Sequence, residues 1–582
     1  MRHNHRMGPN LLLYGDNLEM LRRHVADESV DLIYLDPPFN SNRSYNILFR
    51  NRSGDEAQAQ LQAFDDTWTW SQQAEEQYDE LLEKSPPKVG DAIEGMRRVL
   101  GDNDVLAYLV MMTPRLMELH RVLKITGSLY LHCDPTASHY LKVMMDAIFG
   151  PRSFRNEIIW RRTGSHGPLK SFGPLHDTIL FYTKGTPYYF RVLRRPYTRR
   201  HVASRYTPDS TGKLKFTSGG NVLTGAGSGG GESSQPWRGF NPAAKNRHWA
   251  IPGFLSEQMP PEFQELGVLS KLDALYEAGL IDIVDGAAWP TPVRYLESGD
   301  GTPIGDIWAY QPGTEKVLHG TDDGIDQDVA WLGPTDPERL GFPTQKPLGL
   351  LRRIIESSCP PEGVVLDPFC GCGTAILAAE ELGRRWIGID ITFLSIDLIE
   401  TRLVDRFGVA VRETFETRGV PKDLEGARAL FRDSHFDFER WAVSLVDGQP
   451  KAKPGGDKGV DGIIRFPIDR KKTVGRAIVS VKGGGTLNPG MVRDLAGTVK
   501  SHGAELGLLI TLSKPTKGMI DEANRSGIYT WPFNDAHFPK VQIISIGEML
   551  QGLRPSLPPS YRPYVKAGRV DFKDQQMAFG DA

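Results

Sequence analysis

An α/β protein built on a doubly wound sheet is the fold class this sequence predicts, and three observations predict it. Mostly apolar runs of strand length stop at an acid in three places: Val30–Leu35 before Asp36, Val364–Leu366 before Asp367, and Arg385–Ile389 before Asp390. Segments with helical spacing alternate with those runs, notably Asp104 to Leu123 and the set Leu350, Leu351, Ile354 and Ile355; this is the strand–helix–strand order of a wound sheet. Between about Trp160 and Gly341 the alternation is lost among glycine, proline and tryptophan, so a loop-rich insert is expected to divide the sheet's sequence in two.

The elements follow in order. Asn10–Tyr14 reads as the first strand, ending in Gly15-Asp16-Asn17, with a helix from Leu18 to His24. Val30–Leu35 reads as a buried strand that Pro37 and Pro38 stop, because proline has no donor to continue a ladder. Ligands bind beyond the carboxyl ends of strands in such sheets. Asp36-Pro37-Pro38-Phe39-Asn40 is therefore a candidate site, the alternative being an acidic turn. Ser41 to Lys88 is polar and broken, and is expected to form a long loop beside that site before a helix begins. After Asp104–Leu123, the stretch Lys124-Ile125-Thr126-Gly127 should close the helix ahead of a strand from Ser128 to Asp134. Within the insert, Gly225–Gly231 reads as a bare linker. Arg191–His201, preceded by Tyr188, Tyr189 and Phe190, interleaves cations with aromatics, which suits phosphate contact and base stacking or else is a plain solvated face.

At 582 residues the chain is too long for one core and implies roughly three to four domain-sized units. Charged residues make up 24% and the net charge is −3, so any basic surface must be local. Four cysteines are too few for a disulfide scaffold, and Cys370 and Cys372 in a glycine turn lack zinc-site spacing, which leaves packing or loop geometry as their role. Met1–Arg6 leads into no apolar core, and no stretch approaches the ~18 apolar residues of a membrane span. A cytoplasmic protein with no membrane partner is expected.

The second half of the sheet opens with Thr344-Gln345-Lys346-Pro347 ahead of a helix. The strand Val364-Val365-Leu366 then enters Asp367-Pro368-Phe369-Cys370-Gly371-Cys372-Gly373-Thr374, and the next strand ends at Asp390. Glycines such as Gly371 and Gly373 let backbone approach a ligand. Asp390 lies 19 positions after Gly371, near the roughly 20-residue interval at which an acid reaches ribose hydroxyls. The exposed acid Asp367 would repel a pyrophosphate and suits a cationic ligand. Asp36-Pro37-Pro38-Phe39, the Asp367–Thr374 turn and Thr344-Gln345-Lys346-Pro347 together resemble the catalytic and cofactor motifs of DNA amino-methyltransferases, in the permuted order of the β-group.

That resemblance implies a Rossmann-like methyltransferase sheet with a target-recognition insert, S-adenosyl-L-methionine as cofactor and duplex DNA as substrate. It implies catalytic roles for Asp36, Pro37, Pro38 and Phe39, and cofactor binding by Asp16, Thr344, Lys346, Asp367, Phe369, Gly371, Gly373, Thr374 and Asp390. Asp16 serves equally well as an N-cap, and both roles can coexist. A base amine is a poor nucleophile and is stacked in the duplex, so the base must flip out. The Asp36 carboxylate and Pro37 carbonyl would accept its hydrogen bonds while Phe39 stacks on the ring, worth roughly 1–3 kcal/mol. No metal is implied in this half. Asp at position 36, where the cytosine enzymes of the family usually carry Ser, favours adenine N6 over cytosine N4.

Beyond about Arg406 the methyltransferase pattern is expected to stop. Val460–Phe466 and Arg476–Gly484 read as a hairpin and Leu506–Leu512 as a further strand, resembling the restriction-endonuclease-like fold of Mrr-type nucleases. Asp461 and Lys482 match its metal-site pattern, with Glu439 as a possible third member, but Ser480 stands where an acid or Gln is wanted. Mg2+ would be needed only if this domain cleaves. The expected divisions are a catalytic half over 1–159, the insert over 160–341, the cofactor half over 342–405, a linker over 406–430, the nuclease-like domain over 431–550 and a tail over 551–582. A fusion that also cleaves DNA is the main alternative function, and a second copy of the chain or a cognate restriction subunit is the expected kind of protein partner.

Overall fold

The computed structural model describes residues 9–38, 46–47, 61–62, 70–163, 173–216, 223–283, 285–297, 299–309, 318–320, 326–333, 335–340, 342, 344–450, 459–468 and 474–559. Two compact units divide the chain: Met1–Arg191 with Asp306–Ala309 and Asp328–Ala582, and Val192–Gly305 with Tyr310–Gln327.

The first unit holds a nine-stranded sheet. Its strands in chain order are β1 (Asn10–Tyr14), β2 (Val30–Leu35), β3 (Leu123–Cys133), β4 (Phe154–Arg161), β5 (His176–Thr183), β6 (Ile307–Trp308), β7 (Val364–Asp367), β8 (Arg385–Asp390) and β9 (Phe415–Arg418). Their spatial order is β6-β4-β5-β3-β2-β7-β8-β1-β9. Only β5 runs antiparallel to its neighbours; the other pairings are parallel. From the adjoining strands β2 and β7 the chain winds in opposite directions, to β3 on one side and β8 on the other. That divergence opens a crevice at the carboxyl ends of β2 and β7. β2 is buried at every position, as a strand covered on both faces must be. Its one charge, Asp31, is satisfied by Lys124 Nζ at 2.7 Å and the Val364 amide at 2.9 Å.

Helices cover the sheet: α1 (Asn17–His24), α2 (Asp104–Val122), α3 (Leu348–Ser358), α4 (Thr374–Glu381) and α5 (Phe393–Phe407). Several boundaries differ from the sequence reading. Lys124–Gly127 continue β3 and do not cap a helix, since Leu123 already pairs with Val30 and the register shifts past a bulge before Leu32 meets Ser128. Helix Gln72–Lys84 occupies the end of the expected loop, and a second, Pro87–Leu100, begins at its last two residues, while most of Ser41–Thr69 lies outside the described residues. β4 and β5 bring residues up to Thr183 into the sheet, although the sequence reading placed 160–341 in the insert. β9 lies inside the expected linker; it pairs with β1, and Phe415 packs on Trp386 at 5.6 Å.

The second unit is a set of short antiparallel pairs, among them Arg194–Pro196 with Gly301–Pro303 and Thr224–Ala226 with Arg247–Trp249. Leu223, Trp237, Trp249, Leu255, Leu272 and Leu275 form its core. The glycine–serine tract read as a bare linker is thus partly a strand. A Cβ on Gly225 would lie 2.6 Å from the His248 ring, so the residue is small because backbone and ring come close, not because the chain must flex.

The C-terminal part of the first unit carries a helix, α6 (His435–Ser444), and a five-stranded sheet: β10 (Gln449–Pro450), β11 (Gly462–Pro467), β12 (Val474–Lys482), β13 (Leu506–Thr511) and β14 (Val541–Ser545) in that spatial order. β11 and β12 form the expected hairpin, and β13 adds in parallel. Phe393 of α5 packs against this domain's core, whose largest fully buried members are Phe438, Trp441 and Phe466, and meets Tyr14 edge-on at 6.2 Å.

Candidate active site

The acids at the ends of β2 and β7 meet in one place. Parallel pairing sets Val365 against Leu32 and Leu366 against Ile33; on that register Asp367 stands beside Tyr34, and Asp36 leaves the adjoining strand two residues further on. A cleft lies there, lined among others by Asp36, Asp367, Thr344, Lys346, Phe369 and Thr374. Residues from both halves of the sheet's sequence contribute to it.

Each group is held by identifiable partners. The Lys346 ammonium donates to Asp36 Oδ2 and, at 3.2 Å, to the Thr344 carbonyl; the side chains are 11% and 15% exposed for Lys346 and Asp36. Asp367 accepts from the Phe369 amide at 3.1 Å. Burial, opposed by that hydrogen bond and reinforced by the Asp36 and Asp390 charges, pushes its carboxyl well above the usual carboxylate range. A cation placed in the cleft would reverse that penalty.

The turn after β7 is shaped by two glycines in left-handed conformation, Gly371 at φ +49° and Gly373 at φ +78°. A Cβ on Gly373 would approach Ile399 to 2.5 Å, so helix α4 packs on α5 only with hydrogen at that position. Asp390 accepts from the Gly371 amide at 2.9 Å and from the Thr392 amide and hydroxyl, each at 2.8 Å. Burial raises its carboxyl, and those hydrogen bonds oppose the shift. Asp390 thus fixes the glycine turn that lines the cleft, and its remaining lone pairs are what it could offer a ribose.

Asp16 caps α1 through the Leu18 and Glu19 amides at 3.0 and 3.2 Å, and its other oxygen meets Arg115 at 2.6 Å. Neither Asp16, Gly373 nor Asp390 is among the lining residues. Pro37 is buried and Pro38 half-buried, while Phe39 lies outside the described residues. Sequence reasoning did not single out Asn17, Arg115, Tyr34 or His132. Asn17 donates to the Pro368 carbonyl at 2.9 Å and accepts from Arg115 Nε at 2.6 Å, tying the first strand's end to the glycine turn. The available signal was an arginine inside the mostly apolar run Leu106–Met117.

In the C-terminal domain, Asp461 Oδ2 accepts from the Val481 amide at 2.7 Å and Ser480 Oγ at 3.3 Å. Asp461 is 5% exposed; Lys482 ends β12, and Glu439 lies on α6. Among the described residues, no group of three or more His, Cys, Asp and Glu side chains could hold a metal ion.

S-adenosylmethionine, the cofactor implied by the sequence, can be tested against these residues. The cleft has two carboxyl groups, Asp36 and Asp367, against one ammonium, and a bound cation would favour ionisation of Asp367; it lies beside a turn made by Gly371 and Gly373, and these acids and the close backbone approach fit a cationic, phosphate-free ligand. Sequence comparisons with known proteins agree. A family model described as DNA methylase matches residues 30–400, and one described as NACHT-associated inactive Restriction Endonuclease 1 matches residues 437–535. The Type II methyltransferase M.EcaI of Enterobacter cloacae is 27% identical over 405 residues, which cover 68% of this chain and 69% of that protein. The Type III restriction-modification enzyme StyLTI Mod subunit of Salmonella typhimurium is 25% identical over 64% of this chain and 50% of its own length. The chain therefore spans only half of that relative. The solved M1.HpyAVI-SAM complex aligns with 68% of this chain and 98% of its own at 13% identity, with a TM-score of 0.28.

Proposed function

We propose that this chain, which belongs to the DNA methylase family whose model spans residues 30–400, methylates adenine N6 at a specific site in duplex DNA. The family establishes DNA methyl transfer with S-adenosylmethionine as donor; the choice of adenine is ours. The observation that carries it is Asp36 itself, a carboxylate at the end of β2 beside Asp367 and oriented by Lys346. S-adenosylmethionine, when bound, supplies an electrophilic methyl group on a sulfonium. Thr344, Asp367, Phe369, Gly371 and Thr374 are the lining residues we assign to hold it, with Asp16, Gly373 and Asp390 supporting that wall. Lys346, expected from sequence to touch the cofactor, we assign to orient the Asp36 carboxylate, a reading its contact with that oxygen supports.

The amine's lone pair is delocalised into the ring until hydrogen-bond acceptors favour a pyramidal nitrogen. Asp36, with one oxygen engaged by Lys346, keeps the other for that purpose. Its geometry is set before the base arrives, the condition under which such contacts are worth most. Pro37 fixes the neighbouring carbonyl, and Phe39 is assigned to stack on the flipped base. Nuclease digestion of DNA incubated with the protein and labelled donor, followed by chromatography of the nucleosides, tests the assignment. N6-methyldeoxyadenosine is expected, and N4-methyldeoxycytidine would overturn the adenine choice.

We assign target reading to the second unit, whose segment Val192–His201 is cationic and aromatic, and a non-cleaving role to the C-terminal domain. Asp461 is buried and bonded to Ser480 and to backbone, which leaves it a weak start for a magnesium site. Supercoiled plasmid incubated with Mg2+ should stay intact with both the wild type and Asp461→Ala; nicking by the wild type that Asp461→Ala removes would reverse the assignment. Similarity to a Mod subunit makes a cognate restriction subunit the first protein partner to test, and a second copy of the chain the next. No described helix is long and apolar enough to cross a membrane; we place the protein in the cytoplasm, with its DNA.

A further inference from the structure

A buried polar chain runs from the cleft into the sheet, and the transfer reading makes no use of it. Tyr34, two residues before Asp36 and so on the same face of β2, lines the cleft although it is only 3% exposed. Its hydroxyl lies 3.0 Å from His132 Nδ1 on β3, and His132 Nε2 lies 3.1 Å from Asp177 Oδ2 on β5. Arg162 Nη1 sits 3.1 Å from the other Asp177 oxygen. His132 is fully buried and Asp177 is 3% exposed, and Trp160 meets the imidazole edge-on at 5.5 Å. Three adjacent strands thus each contribute one member to a continuous chain in the core.

The chemistry of the groups fixes the proton positions. A carboxylate only accepts, so His132 donates from Nε2 to Asp177, and in the neutral ring this leaves Nδ1 as a bare acceptor. Although burial pushes Asp177 up, the His132 hydrogen bond and nearby positive charge, Lys346 and Arg162 among it, hold it below the usual carboxylate value, so it keeps its accepting form. The Tyr34 hydroxyl must then donate to Nδ1. Its oxygen has only lone pairs left for the cleft, where Asp36 and Asp367 are the charges acting on it most strongly after burial.

We propose that Tyr34, His132 and Asp177 form a relay that reads positive charge in the cleft. The Tyr34 oxygen is the group that meets the ligand, and His132 and Asp177 are positioning residues that commit its proton inward. This rests on the reading that the cleft takes S-adenosylmethionine. It assigns to the relay part of the preference for the cationic donor over S-adenosylhomocysteine, the neutral thioether that remains after transfer, and so a part in letting product leave.

Binding of the full chain to two probes tests the relay without DNA or turnover. The probes are S-adenosylhomocysteine and sinefungin, which carries an ammonium where the donor carries its sulfonium. Wild type is expected to prefer sinefungin. Tyr34→Phe, which keeps the ring and hence the packing, should lose about five- to tenfold of that preference through weaker sinefungin binding, with S-adenosylhomocysteine unchanged within about twofold. In Asp177→Asn the amide can donate to Nε2, so that Nδ1 carries the proton and the Tyr34 hydroxyl turns outward as a donor. That variant should lose the preference only while Tyr34 is present, and the double variant should match Tyr34→Phe. Equal effects of Tyr34→Phe on both probes, or none, would overturn the relay and leave a packed core. Failure of wild type to bind either probe would overturn the cofactor reading beneath it.

Discussion

Asp36→Ala should abolish methyl transfer, by about 100- to 1,000-fold or more in a single-turnover assay, while the protein still binds its methyl donor. The argument starts from the amine, which cannot aim its lone pair until acceptors hold its protons; without the carboxylate that polarisation is lost. The substitution also has a structural cost, because Lys346 is only 11% exposed and would keep its ammonium without the partner it has now. Breaking such a pair costs about 3 kcal/mol, which a thermal melt would register. Two further variants separate the effects. Lys346→Met in the Asp36→Ala background removes the stranded charge and should recover most of the stability but none of the activity. Asp36→Asn keeps an oxygen acceptor without the charge and should lie between Asp36→Ala and wild type. An Asp36→Ala protein that transfers methyl groups at the wild-type rate would remove the residue from the chemistry altogether.

The legible parts of this site were local ones. A strand stopped by Pro37 and Pro38, or a turn built on Gly371 and Gly373, is written in consecutive residues, and the demand that Asp36 and Asp367 share a cleft followed from where wound sheets bind ligands. Pairing across long separations was not legible. Lys346 meets Asp36 across 310 positions, and no local pattern says whether a lysine in Thr344-Gln345-Lys346-Pro347 reaches for a ligand or a neighbouring acid. The edge strand β9 escaped because four half-buried residues carry almost no periodicity; only its pairing with β1 makes it a strand. Gly225 misled for a related reason, since a glycine needed for close approach to His248 looks the same in sequence as one needed for flexibility. His132 sits in an apolar run, where its tautomer depends on partners from two other strands.

Arg115→Ala should lower stability by about 2 kcal/mol, a figure reduced from that of a fully buried pair because Asp16 is 41% exposed, and should weaken donor binding by about tenfold. The guanidinium donates to the Met111 carbonyl at 2.8 Å, to Asn17 Oδ1 at 2.6 Å and to Asp16 Oδ2 at 2.6 Å. By engaging the Asn17 oxygen it turns the amide nitrogen toward the Pro368 carbonyl, 2.9 Å away. Asp16 and Asn17 begin α1, and Pro368 begins the glycine turn, so one side chain from α2 braces both walls of the proposed cofactor site. Alanine would remove that brace and leave the Asn17 amide free to rotate. Lysine would keep a charge near Asp16 but, lacking the planar fork, could not hold Asp16 and Asn17 together. Arg115→Lys should therefore recover part of the thermal stability and little of the donor affinity. A loss of stability in Arg115→Ala with unchanged donor affinity would show that the network supports the fold alone; parallel losses, with lysine restoring only the first, would place Arg115 among the residues that shape the cofactor wall.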